Sequence, residues 1–316
     1  MTFRAFFPLV FVAACGGTTA TDAVSTDAAS TDTTQADTTQ TDTAQADTAG
    51  ADTTSASGCT LADHTAATAV VSPSGCALRS RDTSACKAAR EAQGLTGAWL
   101  QFSCRVTLTK TTDGGAEVVQ AKTDGQPDYP SFYFAKTDAC YEAWADGLHN
   151  PNQIAAHETT VSFPLQPDTT SQTTKGTPVI GLALNGVALF DNQAAPGDDI
   201  YQEAKTFDRC GAHPEMTGRY HYHSEPYSLS NDDDHLIGFM RDGYPIYGRK
   251  DTDGTSPSLD AQGGHTGTTP DSPAAPVYHY HLNLQTSTAS GTKGTQAWFL
   301  STGTYHGKPG ACVGCK

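Results

Sequence analysis

The chain is poor in positive charge. It has 19 Lys and Arg against 34 Asp and Glu, and its formal net charge is −15. Seven of the Asp and one Arg lie before residue 59, so residues 59–316 hold 18 basic against 27 acidic side chains. A protein that binds nucleic acid needs a basic excess to neutralise phosphates. The composition therefore argues against a nucleic-acid partner.

Several catalytic motifs are also missing. The sequence contains no G-x-S-x-G nucleophile elbow, no H-E-x-x-H zinc helix and no glycine-rich loop that would hold a phosphate. Each of these motifs supplies a geometry that its chemistry requires. Serine hydrolase, zincin-type protease and kinase chemistry are therefore not expected.

The apolar run at the N-terminus, residues 5–14, is too short to be a membrane span. About ten apolar residues cannot cross a hydrocarbon core that needs ~20 helical residues. The run follows a single Arg and ends in "VAAC", which resembles the lipobox of bacterial lipoproteins. We predict a signal peptide over residues 1–15 and lipidation of Cys15. Ordinary cleavage after Ala14 is the alternative.

Residues 16–58 have the composition of a linker. From residue 18 onward they contain no Lys, Arg or aromatic residue, and an Asp recurs at every fifth position from Asp22 to Asp52. Such a segment cannot bury enough apolar surface to offset its conformational entropy. We predict a disordered tether that holds an extracytoplasmic domain on a bacterial membrane, at the outer membrane or cell surface. A calcium-binding repeat would need turn glycines, and none occurs between Asp22 and Asp47.

Eight cysteines follow Cys15, and an even number in an exported chain predicts disulfides. They are Cys59, Cys76, Cys86, Cys104, Cys140, Cys210, Cys312 and Cys315. Eight cysteines can pair in 105 different ways. The final "CVGC" could also be a redox or zinc pair, although an oxidising compartment favours a structural role.

Strand patterns dominate the remaining sequence. Apolar and β-branched runs at residues 98–110, 131–136, 159–165 and 178–190 are bounded by Gly, Pro and Asp, and Asn185-Gly186 predicts a hairpin. The best helix candidate is residues 84–93. We predict a mainly β fold with antiparallel sheets, long irregular loops and disulfide staples. A small Cys-rich part at 59–125 would precede a larger domain at 126–316.

The most unusual feature is a Tyr-His-Tyr-His motif that occurs twice, at residues 220–223 and 278–281. In a strand, residues i and i+2 share one face, so each motif presents two imidazoles on one side and two tyrosines on the other. Crowded imidazoles are stable when neutral, hydrogen-bonded or bound to a metal. We therefore predict a transition-metal site, on the assumption that strand pairing unites both motifs. The candidate ligands are His221, His223, His279, His281, His213 and His265.

These residues lie in blocks that resemble the YHYH protein family. The blocks are "GLALNGVALFD", "FDRCGAHPEMTGRYHYHSEP", "LIGFMRDGYPIYGR", "LDAQGGHTG" and "VYHYHLN". The resemblance spans residues 140–316 and implies that the six histidines occupy family motif positions. It also implies a Cys in the fourth block, which this chain lacks, so Cys210 would pair with Cys312 or Cys315 or remain free. His306 lies in a divergent C-terminal tail.

Acidic residues near the histidines are candidates for supporting roles. Asp242-Gly243 predicts a turn with aromatic packing, and the alternative is that Asp242 accepts an imidazole N–H and orients a metal-binding histidine. The acidic stretches at 231–235 and 251–254 lack the spacing of a calcium loop. We expect both to be solvated acidic loops.

The sequence therefore predicts a lipid-anchored extracytoplasmic protein that binds a transition metal through paired His-x-His strands. Imidazole donors suit copper and zinc, and copper is favoured because it leads the divalent affinity order. One alternative is a metalloenzyme with an open metal position. Another is a structural surface module whose histidines only form hydrogen bonds. The sequence does not decide whether the protein is an enzyme, and it indicates no protein partner.

Overall fold

The computed structural model describes residues 75–79, 81, 83–144, 148–169, 172–300 and 303–316, which belong to one compact unit. The predicted signal peptide, Cys15, the linker and Cys59 lie outside these residues. Among the described residues no helix has the length and apolar character of a membrane span.

The prediction of a mainly β fold is confirmed. The helices are α1 (Ser84–Ala92) and α2 (Ile200–Glu203), with 3₁₀ turns at Gly97–Gln101 and Ala204–Thr206. The strands are β1 (Thr107–Asp113), β2 (Ala116–Thr123), β3 (Thr159–Pro164), β4 (Thr173–Thr174), β5 (Val179–Ala183), β6 (Ala188–Phe190), β7 (Ala212–Pro214), β8 (Tyr220–Tyr222), β9 (Leu236–Met240), β10 (Pro245–Tyr247), β11 (Gly264–Thr269), β12 (Ser272–His281), β13 (Asn283–Thr286), β14 (Gln296–Phe299), β15 (Thr304–Tyr305) and β16 (Cys312–Val313).

The largest element is an eight-stranded sheet with the strand order β11-β12-β10-β9-β5-β6-β8-β7. Two hairpins form its centre. The β5–β6 hairpin turns at Asn185-Gly186, as predicted, and the β9–β10 hairpin turns at Asp242-Gly243. The two glycines have φ of 91° and 89°, a conformation in which a residue with a Cβ atom is strained. Glycine after Asn or Asp therefore sets both turns.

The two halves of this sheet repeat the same topology about the central β5–β9 pair. In each half the hairpin strand pairs in parallel with a YHYH strand, through Leu189–Tyr222 in one half and Ile246–Tyr280 in the other. In each half an outer strand then pairs antiparallel with the YHYH strand. Strand β7 places His213 opposite His221 in one half, and β11 places His265 opposite His279 in the other. The doubled sequence motif is thus part of a structural repeat with approximate two-fold symmetry.

This symmetry separates the two motifs, contrary to the assumption that strand pairing unites them. Four strands lie between β8 and β12. With strands ~4.8 Å apart, five spacings place the two YHYH strands about 24 Å from each other across the sheet. A single site cannot include both strands at that separation.

A four-stranded sheet, in the order β1-β2-β3-β16, packs against the centre of the larger sheet. Its Val119 and Phe163 share one hydrophobic cluster with Leu182 and Phe239. The pairing registers place Leu182 and Phe239 on the same sheet face as the histidines. The opposite face forms a second cluster that includes Tyr220, Tyr222 and Tyr280. The imidazole positions therefore flank a central apolar contact, and the tyrosines pack into the other core, as predicted.

The expected boundary after residue 125 comes directly after the β1–β2 hairpin, whose second strand ends at Thr123. Strand β2 pairs along its length with β3, from Val118–Pro164 to Thr123–Thr159. One sheet thus includes strands from both sides of residue 125. The division into parts at 59–125 and 126–316 stays a prediction.

The disulfides of the described residues range from local to long-range, and one pairing differs from expectation. Cys86 pairs with Cys104, Cys312 pairs with Cys315, and Cys140 is also disulfide-bonded. Cys210 pairs with Cys76, at a Cα–Cα distance of 4.9 Å, rather than with a C-terminal cysteine. The reason is that Cys210 precedes β7 in the tyrosine-lined core, whereas Cys312 lies on β16 in the other sheet.

Candidate metal centres

The first cluster of histidines lies at the β7–β8 edge of the large sheet. His213 comes from β7, His221 from β8, and His223 follows β8 on the same face. All three residues are buried, with at most 2 % of their surface exposed. Phe190 stacks on His221 with 3.9 Å between ring centroids, and Phe207 stacks on His223 at 5.8 Å. We call His213, His221 and His223 the first centre.

Hydrogen bonds determine which ring nitrogens of the first centre carry protons. Nδ1 of His221 lies 3.0 Å from the Arg219 carbonyl, and Nδ1 of His223 contacts the Asp191 carbonyl. Because a carbonyl oxygen only accepts, both Nδ1 atoms must donate, and both Nε2 atoms are left with a lone pair. The two Nε2 atoms face each other at 3.0 Å.

His213 completes this arrangement. Its Nδ1 lies 2.7 Å from the hydroxyl of Thr206, which donates its own hydrogen to the Glu203 carbonyl. Nδ1 of His213 also lies 3.3 Å from Nδ2 of Asn150, an amide nitrogen that can only donate. Nε2 of His213 is buried and forms no hydrogen bond among the described residues, although Oε1 of Glu203 lies 3.3 Å away. One ligand atom from each of the three histidines lies within 4.8 Å of the others.

Burial keeps these rings uncharged. It lowers the pKa of His213 to about 3 and the pKa of His223 to about 4, and it holds the pKa of His221 well below its usual value. The neighbouring imidazoles lower the pKa of His213 and His221 further, because two cations in contact repel. At neutral pH no proton bridges the facing nitrogens.

A second cluster, which we call the second centre, lies at the β11–β12 edge and consists of Asp251, His265, His279 and His281. Oδ1 of Asp251 lies 3.1 Å from Nε2 of His265 and 3.4 Å from Nε2 of both His279 and His281. Nδ1 of His279 donates to the Val277 carbonyl and Nδ1 of His281 to the Gly248 carbonyl, each over 2.9 Å. The arrangement reproduces the first centre, with one carboxylate added.

Burial also lowers the pKa of His279, and it lowers that of His281 to about 4. Their Nε2 atoms therefore remain lone-pair acceptors beside a carboxylate, which is an acceptor as well. Among these four side chains, the Nε2 atoms of His279 and His281 and the carboxylate of Asp251 all accept hydrogen bonds. Only Nε2 of His265 is left to supply a hydrogen to them. A buried cluster of hydrogen-bond acceptors of this kind is suited to bind a cation.

Asp251 is the residue that the sequence analysis missed, because the stretch at 251–254 was interpreted as a solvated acidic loop. That expectation was wrong for Asp251, whose side chain is only 19 % exposed and faces three imidazoles. The sequence feature that could have indicated Asp251 is the repeated YHYH motif. Asp251 follows β10 closely, and β10 pairs with the second YHYH strand.

Asp242 does not orient a histidine in the structure, which differs from the role considered for it. Its Oδ2 accepts from the Tyr280 hydroxyl at 2.6 Å and from the Gly307 amide at 3.0 Å. The reason is strand alternation, since Tyr280 points to the face opposite its histidine neighbours. Asn185 contacts Tyr222 at the equivalent place in the other half, but there the amide Nδ2 donates to the tyrosine hydroxyl, over 3.1 Å.

The tyrosine face contains further polar partners. Tyr220 donates to Asp208 and Tyr278 to Asp260, at equivalent places in the two halves. His306 stacks on Tyr278 at 3.6 Å, so it lies on this face and away from both centres. These contacts satisfy buried tyrosine hydroxyls on the face opposite the imidazoles.

A cleft of ≈ 970 Å³ lies beside the first centre. All three histidines of that centre line it, together with Phe190 and Glu203. Oε1 of Glu203 is 3.3 Å from Nε2 of His213. Although the histidines are buried, the first centre therefore borders a cavity large enough for a small molecule.

Residues 160–258 match the family model described as YHYH protein. This stretch of the chain is similar to the YHYH domain family. The resemblance expected over residues 140–316 is thus confirmed for this range, which contains the first centre and Asp251 and ends before the second YHYH motif. No curated protein and no solved structure matches the chain significantly.

Proposed function

We propose that this YHYH-domain protein is a lipid-anchored, extracytoplasmic protein that binds two transition-metal ions, one at each centre. The anchor and the location follow from the N-terminal sequence pattern alone. The metal proposal follows from the geometry of the two centres, and it replaces the expectation of one shared site.

The observation that carries the proposal is the contact between Nε2 of His221 and Nε2 of His223. Both Nδ1 atoms donate to backbone carbonyls, so two lone pairs face each other at 3.0 Å in a buried place. This contact is repulsive unless a cation lies against both nitrogens. Metal-bound histidines typically donate their other N–H to a carbonyl or carboxylate, which fixes the ring.

The donor atoms indicate which metals would bind. The first centre offers three imidazole nitrogens, and the second offers three with one carboxylate oxygen. Nitrogen donors disfavour calcium and magnesium, which prefer oxygen ligands. Imidazole sites suit copper and zinc, and we place copper ahead of zinc because it binds more tightly in the divalent series.

A purely structural role for the histidines explains the geometry less well. Structural histidines in a core form hydrogen bonds with both ring nitrogens or expose one to water. Nε2 of His213 is buried and forms no hydrogen bond among the described residues, although Oε1 of Glu203 lies 3.3 Å away. The repeat of the same arrangement at the second centre supports a shared purpose for both.

The test is metal analysis of protein purified from a periplasm or membrane without an affinity tag. We expect two bound ions per chain in the parent. A His221→Ala/His223→Ala variant should lose one ion, and a His279→Ala/His281→Ala variant should lose the other.

The matched control is Tyr222→Phe, which alters the same strand on its opposite face. It should keep both ions, because the tyrosine hydroxyl contacts Tyr129 and Asn185 rather than an imidazole. Equal metal content and affinity in the parent and in both histidine variants would show that the motifs are structural.

A further inference from the structure

The two centres differ in the position of their carboxylate. In the second centre one oxygen of Asp251 lies within 3.4 Å of all three ligating nitrogens. In the first centre the nearest carboxylate is Glu203, and its Oε1 contacts only His213. Asp251 is therefore positioned to be a fourth metal ligand of the second centre, whereas Glu203 lies beside only one histidine of the first centre.

Glu203 lies at the end of α2, and its side chain is 26 % exposed. Its second oxygen, Oε2, is buried and has no hydrogen-bond partner among the described residues. The carboxylate and the three histidines line the same cleft. An acceptor is thus available beside the first centre on the side from which a ligand would approach.

The charges of the cleft indicate which ligands suit it. Five carboxylates line it, from Asp191, Asp198, Asp199, Glu203 and Glu215, against three cationic side chains from Lys175, Arg219 and Lys316. Such a surface disfavours anions. A neutral ligand that offers a nitrogen or oxygen lone pair and an N–H or O–H group matches both the metal and the free acceptor of Glu203.

We propose, resting on metal binding at both centres, that the first centre leaves one coordination position open to the cleft, while Asp251 closes the second. A small neutral protic ligand, such as an alcohol, an amine or water, binds at the open position beside Glu203. Structural metal sites have four protein ligands, and sites that bind or transform a ligand keep one position free. The first centre is then the reactive one and the second stabilises the fold.

The experiment uses the full chain with cobalt(II) at both centres, because cobalt absorption bands change with coordination. The probes are azide, which is an anion, and imidazole, which is neutral. We expect a spectral change that saturates with one probe molecule per chain. The change should persist in His279→Ala/His281→Ala and disappear in His221→Ala/His223→Ala.

Glu203→Gln tests the position of the carboxylate, because it keeps the side-chain shape and removes the charge. Repulsion between Glu203 and bound azide would end, so the ratio of azide to imidazole affinity should rise about tenfold. The cobalt content should stay at two ions per chain, because the three histidines remain. A change in fold alone would not move this ratio.

The outcomes separate the two proposals. A parent protein that takes up no cobalt would refute metal binding itself. Two bound ions without a response to either probe, or a response that survives in His221→Ala/His223→Ala, would refute only the open position. An unchanged affinity ratio in Glu203→Gln would place the ligand away from this carboxylate and overturn its role.

Discussion

Acidification should destabilise the metal-free protein, and His223 shows why. Burial lowers the pKa of this ring to about 4, whereas an unfolded chain leaves a histidine near 6.5. Between these two values the unfolded chain binds a proton that the folded protein does not. Stability therefore falls as the pH drops from 6.5 towards 4, and it stays fully present above 6.5.

The size of the effect follows from the two pKa values. At pH 5 the unfolded ring is almost fully protonated and the folded ring almost neutral, which costs about 2 kcal/mol for His223 alone. For a folded region of this size, 1 kcal/mol corresponds to roughly 2–4 °C in Tm, so one ring should account for about 4–8 °C. Other buried rings, such as His213 and His281, add to the loss because burial lowers their pKa as well.

The assay is thermal unfolding of chelator-treated protein at pH 7 and at pH 5. His223→Gln is the matched variant, because glutamine is polar and does not titrate in this range. Its loss of Tm between the two pH values should be smaller than that of the parent by about 4–8 °C. An equal loss in both proteins, or no loss in the parent, would refute the assignment of a neutral buried ring at this position.

Two further predictions concern the ends of the chain and its cross-links. Cys15→Ser should release the protein from the membrane fraction, and equal retention of variant and parent after fractionation would contradict the lipid anchor. Removal of the Cys76–Cys210 disulfide by double Ala substitution should lower the free energy of unfolding by about 3–5 kcal/mol, because it closes a loop of 134 residues. Removal of Cys312–Cys315 should cost less, because the sequence separation of these two cysteines is only 3. Denaturant unfolding compares the two, and equal losses would contradict the loop argument.

Local patterns in the sequence were sufficient for several features of this protein. Strand alternation predicted that each YHYH motif separates its histidines from its tyrosines, and the structure shows that separation in both halves. Asn185-Gly186 predicted a hairpin, and residues 84–93 contain the predicted helix. These features depend on neighbouring residues along the chain, which is why a sequence can determine them.

Other features depended on contacts between distant segments. The order of eight strands decided that the motifs form two centres rather than one, and no local pattern contains that order. The same sheet brought Asp251 to three imidazoles and turned Asp242 towards Tyr280. Cys210 forms a disulfide with Cys76, at a sequence separation of 134, because both cysteines lie in the tyrosine-lined core. The sequence by itself determined which side chains share a strand face, and only the tertiary structure decided which faces meet, because strand pairing is a long-range choice among many registers.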